Sequence, residues 1–249
     1  MNIQFSRRAF RLTDLINTYG QPIGFAVPDW QPGRHPRGSK LYGRLCRLEP
    51  VTPDQHAGDL AAAFAHDDGR NWTYMPYGPL RGEDEVRQWM ESTCLSDDPC
   101  FFALVDLATG KAVGVASYLR IDPELGVIEV GHIHFSPLIQ GTALATEAMY
   151  LMMRHVFDTL GYRRYEWKCD ALNQPSRAAA LRLGFVFEGI FRQATMYKQR
   201  NRDTAWFALV DCDWARVKVA FENWLDPGNF DADGRQLTRL SEQMARISA

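Results

Sequence analysis

Residues 142–160 carry the longest amphipathic run of the chain, with Leu144, Ala148, Leu151, Met152, His155, Val156 and Leu160 on one helical stripe and Gly161 just past its end. Stretches of β character flank it at Val127–Phe135 and Arg164–Asp170, and in the second of these Tyr165, Trp167 and Cys169 alternate onto one face. A strand, a helix and a second strand in that order predict a crossover that brings the two strands parallel. Few folds accommodate such a unit, because the runs around it follow a different rule.

Before the crossover, residues 100–107 and 112–121 are two β-rich runs joined by Ala108, Thr109, Gly110 and Lys111, and a turn at 122–126 leads into Val127. These read as an antiparallel meander. A short strand at 44–49 precedes them, followed by helices over 56–65, started by Thr52, Pro53 and Asp54, and over 82–93. After the crossover come a short helix at 175–183 closed by Gly184 and strands at 185–191, 196–200 and 204–211, the last two joined through 201–203; amphipathic helices follow at 214–224 and 236–247. The expected fold is therefore α/β (α+β), a mixed and mostly antiparallel sheet of about seven strands flanked by helices.

Residues 19–43 hold too many glycines and prolines for a helix or a central strand. Residues 1–42 are expected to form an extended segment docking on the core through Ile23, Phe25, Val27 and Trp30, ahead of a catalytic-sized domain at 43–214 and a helical extension at 215–249.

Charge and cysteine content narrow the function. Lys plus Arg total 28 against 30 for Asp plus Glu, a net charge of -2, so no general attraction to nucleic acid is expected. Five scattered cysteines contain no C-x-x-C pair and signal neither a disulfide framework nor a structural zinc, and no metal is expected. No apolar run reaches the ~18 residues of a membrane span, and Arg7, Arg8, Arg11 and Asp14 interrupt what would be a signal peptide, so a cytoplasmic location and no membrane partner are expected.

Chemistry is expected first where the Val127–Phe135 strand meets the long helix. A helix N-terminus offers unpaired N–H groups and partial positive charge, and the small residues of Gln140, Gly141, Thr142, Ala143, Leu144 and Ala145 would let a phosphate approach the main chain. The same turn also serves as a plain tight connection.

The order of elements, together with Asn173, Ser176, Leu183-Gly184-Phe185, Glu188-Gly189, Arg192 and Asp203, resembles the GCN5-related N-acetyltransferase (GNAT) superfamily, and within it the ribosomal-protein-alanine N-acetyltransferase branch. The likeness covers roughly 43–214. One position departs from the family's phosphate-loop pattern, since Ala143 stands where the first Gly is usual, while Thr146-Glu147-Ala148 keeps the family's helix start.

The resemblance implies that the parallel strands splay apart at a bulge and hold acetyl-CoA between them, with the long helix beneath. Phe135, Gln140, Gly141, Thr142, Ala143, Leu144, Ala145 and Thr146 would line its path, with Asn173 beside the pantetheine and Ser176 near the sulfur. A primary amine, either a protein N-terminus or a small molecule, would attack the thioester directly; the alternative is a catalytically weak acyl-CoA-binding regulatory module. Family members occur as monomers or homodimers.

Several of these residues have a second reading. Asn173 and Ser176 also suit the cap of a helix opening at Pro175. His132 and His134 share a strand face and could relay the ammonium proton, although strand histidines commonly pack; Glu129 faces away from them unless a bulge reverses its parity. Trp72, Tyr74 and Tyr77 lie in the expected acceptor loop and are equally suited to packing. Arg192, Lys198, Arg200, Arg202 and Asp203 crowd the last hairpin, where Asp203 is expected to fix Arg192 or Arg202 at the acceptor entrance or to belong to a solvated turn.

Overall fold

The computed structural model describes residues 15–246; the expectations for residues 1–14 and for Ile247 lie outside the described residues. Residues 15–31 form a unit by themselves, in which the Asn17 side chain accepts from the amides of Tyr19 and Gln21 and an isolated bridge joins Ile16 to Pro22. Everything from Pro32 onward forms the second unit.

Eight strands build one sheet in the order β1-β2-β3-β4-β5-β6-β8-β7. They are β1 (Leu41–Tyr42), β2 (Cys46–Pro50), β3 (Cys100–Asp106), β4 (Ala112–Asp122), β5 (Val127–Phe135), β6 (Arg164–Asp170), β7 (Val186–Tyr197) and β8 (Arg200–Val210). All neighbours pair antiparallel except β5 and β6, the parallel pair that the crossover demanded. Against a sequence expectation of about seven strands the sheet has eight: a two-residue strand at Leu41 is added, while the runs at 185–191 and 196–200 merge into one strand, β7, bent by a bulge between Phe191 and Thr195. The last turn lies at Lys198 and Gln199, both with positive φ, and so Asn201, Arg202 and Asp203 belong to β8.

Helices α1 (Pro53–Phe64) and α2 (Gly82–Trp89) cover one face of the sheet; α3 (Ala143–Arg154), α4 (Gln174–Arg182), α5 (Asp211–Leu225) and α6 (Leu240–Arg246) belong to the other side of the core. On the first face Leu60, Phe64, Trp72, Val86 and Met90 pack on Phe101, Ala103 and Val115. On the second, Met149, Met152 and Val156 from the crossover helix meet Tyr118, Ile128 and Tyr165, and Trp214, Val217 and Phe221 of α5 join the same cluster. The crossover helix continues past Arg154 as a π-helical turn to Leu160 and stops at Gly161, whose φ of 78° is the left-handed conformation that only glycine adopts cheaply.

Glu147 ties this helix to the sheet edge. Its buried carboxylate accepts from the amides of Arg44, Leu45 and Cys46 at 2.9, 2.7 and 2.9 Å, so the turn before β2 closes on a side chain a hundred residues away. No helix among the described residues is long and apolar enough to cross a membrane.

Candidate active site

The parallel pair is joined over four residue pairs only, from Val127–Arg164 to Val130–Trp167. Beyond that point β5 pairs only with β4 and β6 only with β8, so the strands part and leave facing main-chain groups without ladder partners. A buried main chain does not stay unpaired without cost, and an extended ligand can complete such an edge.

The cause of the splay is local. Between the pairs Ser117–Gly131 and Val115–His134, three steps along β5 oppose two along β4, a bulge of one extra residue, and there His132 adopts φ of 48°. The extra residue also changes which side chains meet. Glu129, Gly131 and His134 oppose Leu119, Ser117 and Val115 and so share one face. His132 turns to that face too, its ring 4.9 Å from that of Phe101 and its Nδ1 3.0 Å from Tyr77 Oη.

Glu129 is thus on the histidine side, but its Oε2 is bound by Arg120 Nη1 at 2.6 Å and Lys168 Nζ at 2.9 Å. Lys168 also meets Glu166 at 2.7 Å and lies 3.7 Å from the Trp206 ring centre. A carboxylate held by two cations is an anchor for the fork. His134 is 3% exposed, with its ring against Phe64 and Trp72, the latter at 3.7 Å; this is a packing position. Burial pushes both histidines down to about 4, so each is neutral at pH 7, and Arg120 adds to the effect at His132. His132, half-buried at the bulge, is the imidazole at the fork.

Below the fork, Thr142 caps α3 by accepting from the Ala145 amide at 3.3 Å, and Gly141 turns the chain at φ of 74° with no atom within 4 Å of where a Cβ would stand. Gly141 and Thr142 are exposed, and Ala143 and Leu144 are half-buried; together they leave the first amides of the helix open. Ala145 and Thr146 are buried, and Thr146 Oγ1 is engaged by Thr142 O and by Arg182 Nη2. Gln140 spends its amide on the Phe135 carbonyl at 2.9 Å. These residues fit a diphosphate at the helix start and an extended arm along Phe135 and the fork.

At the other wall, Asn173 Oδ1 caps α4 by accepting from Ser176 N at 3.1 Å, while Ser176 Oγ accepts from Trp167 Nε1 at 3.0 Å. Asn173 has the capping geometry, whereas the Ser176 hydroxyl sits beside Trp167, the last residue of the paired segment, with its own proton available.

Trp72 is buried and structural, but its loop reaches over the fork. Tyr74 Oη donates to the Leu172 carbonyl at 3.2 Å, Lys198 Nζ donates to the Trp72 carbonyl at 2.7 Å, and Tyr77 meets His132. Arg192 is exposed. Asp203 Oδ1 accepts from Gln193 N and Asn201 Nδ2, so it pins the β7 bulge and hydrogen-bonds to neither arginine, contrary to the sequence expectation. Sequence reasoning missed Lys168, Trp206 and Tyr197, although Glu166, Lys168 and Asp170 at alternate positions form a charged stripe opposite the apolar one.

The acetyltransferase (GNAT) domain family matches residues 45–186. A solved GCN5-related N-acetyltransferase from Brucella melitensis is 45% identical, covers 88% of this chain and 100% of its own, and superposes with a TM-score of 0.86. A GNAT-family protein from Chromobacterium violaceum is 36% identical over 78% of this chain and 98% of its own, at a TM-score of 0.73. Ribosomal-protein-serine acetyltransferase of Escherichia coli is 30% identical over 100 residues, 40% of this chain, and the chain spans 55% of that relative's length.

Proposed function

The chain belongs to the GNAT family of acetyltransferases, and from that membership we propose that it moves an acetyl group from acetyl-CoA to a primary amine by direct attack, the acceptor being a protein N-terminus or a small molecule. The observation that carries this reading is the fork: four parallel pairs, a one-residue bulge, then two unzipped strands above an open helix N-terminus.

Acetyl-CoA supplies an activated acetyl thioester, so transfer forms one N–C bond, breaks one C–S bond and releases one proton from the ammonium. The amides of Ala143, Leu144 and the turn at Gly141 would bind the diphosphate. The edge of β5 beyond Val130 that no longer pairs with β6 would hold the pantetheine and aim an N–H at the carbonyl oxygen. Ser176 would donate to the departing sulfur. The Tyr77–His132 contact would carry the amine's proton outward, because the imidazole is neutral and hydrogen-bonded at the fork. No cysteine is needed: four of the five are buried, and burial raises the thiols of Cys46, Cys94 and Cys100.

Two measurements test the proposal. Acetyl-CoA should raise the melting temperature, and a panel of amines should provoke CoA thiol release. Thermal stabilisation with no amine-dependent release would make the protein a regulatory acyl-CoA binder; no stabilisation would remove the fork from the argument.

A further inference from the structure

The face of β8 beside the fork holds two polar groups that the fold leaves unused. Arg202, Thr204 and Trp206 alternate along β8, and Thr204 and Trp206 lie opposite Asp170 and Lys168 on β6, so these residues share one face. Arg202 Nε and Trp206 Nε1 are both buried donors without a hydrogen-bond partner, and among the described residues no carboxylate lies within 4.0 Å of the Arg202 guanidinium. That guanidinium is 5.9 Å from the Tyr197 ring centre, and Tyr197 Oη donates to Asp170 Oδ2 at 2.8 Å.

Around these donors, negative charge is already committed. Glu129 and Glu166 are bound by Arg120, Arg164 and Lys168, and Asp170 accepts from Tyr197 and from Leu172 N. Lys198, in the turn that joins β7 to β8, donates to a neutral carbonyl and has no carboxylate within 4.0 Å among the described residues. Overhead, the loop carrying Trp72 and Tyr74 is bonded to Lys198 on one side and Leu172 on the other, which narrows entry to the fork.

We propose, on the footing of the acetyl-transfer reading above, that the acceptor is a small amine bearing its own carboxylate, an amino acid in chemical class, with Arg202 receiving the carboxylate. A buried donor left unmade costs free energy, and an anionic acceptor would remove that cost on binding. A polyamine would bring further positive charge to a guanidinium that already lacks a carboxylate partner, and a folded protein's terminus would have to lift the loop.

The test is CoA thiol release with free amino acids, the matching amino acid amides, spermidine and a short peptide. An amino acid should be used with kcat/KM at least tenfold above its amide, with the difference in KM, and the ratio should fall toward one in Arg202→Gln. Arg202→Lys should recover part of it, and acetyl-CoA binding by both variants shows that they are folded. Amides, spermidine or the peptide used as well as the amino acid, or a preference that survives Arg202→Gln, overturns the inference and leaves acetyl transfer standing. Acetyl-CoA binding with no release from any amine overturns both.

Discussion

Trp167 Nε1 donates to Ser176 Oγ at 3.0 Å, which occupies an acceptor site of the hydroxyl and directs its proton toward another acceptor. A sulfur is already among its neighbours: burial raises the Cys169 thiol, and a hydrogen bond from Ser176 pulls it part of the way back. The same donation would suit a departing CoA thiolate. Ser176→Ala should therefore lower kcat on the order of tenfold or more while acetyl-CoA affinity changes little. Trp167→Phe, which keeps a ring and removes the N–H, should give a smaller loss of the same kind. Steady-state kinetics beside calorimetric titration decides it, and matched losses in kcat and affinity return Ser176 to a purely structural role.

At the phosphate turn, Ala143→Glu places a carboxylate where a diphosphate is expected. The helix N-terminus tolerates negative charge, so the melting temperature should hold or rise slightly. Acetyl-CoA affinity should fall at least tenfold by calorimetry. Undiminished affinity would exclude the start of α3 from the binding surface. Ala145 is less suitable for this purpose because it is itself buried.

Glu147→Gln should destabilise the protein by about 3 kcal/mol, since an amide offers one oxygen to three main-chain donors and turns its own N–H groups toward them. Urea unfolding measures this. Gly43→Ala should act at the same place, because an added Cβ would collide with the Glu147 carboxylate. A loss below about 1 kcal/mol in both variants would mean that the carboxylate does not hold the turn.

Stability should decline steeply on mild acidification. Burial pushes His132, His134 and His155 down to about 4, while unfolded histidines titrate near 6.5. Between those values the unfolded chain binds protons that the native one refuses, so the stabilisation is whole above pH 6.5 and drains as pH falls toward 4. With three such groups the slope reaches about 4 kcal/mol per pH unit. Urea midpoints across that range should steepen accordingly, and His134→Phe should flatten the curve. A curve that stays level from pH 6.5 to 5 would show that the three rings are protonated in the fold.

Periodicity made the crossover and the meander legible, because helix and strand repeats are set by backbone geometry and appear directly in the spacing of Leu144, Ala148, Leu151 and Tyr165, Trp167, Cys169. Two kinds of feature were out of its reach. One is the bulge in β7: its extra residues break the alternation between Phe191 and Thr195, so one strand reads as two and the turn is displaced to Asn201. The other is charge compensation. The sequence contains Glu129, but Arg120 and Lys168 reach it only through cross-strand register, and register is a tertiary fact. Likewise Asp203 has two arginines near it in sequence and bonds instead to Gln193 and Asn201. His132 and His134 are two residues apart and chemically alike, yet one faces a tyrosine hydroxyl at the fork and the other is wedged between Phe64 and Trp72.

The surplus residue at Gly131–His132 has an evolutionary corollary. Removing one codon there would restore even alternation along β5, keep Glu129 and His134 on one side without the bulge, and let the strand run on flush with β6. Point substitutions tune such a cleft by degrees, whereas a single in-frame deletion could erase it while leaving both hydrophobic layers intact. The capacity to admit a ligand here is set by how many residues the strand contains as much as by which ones.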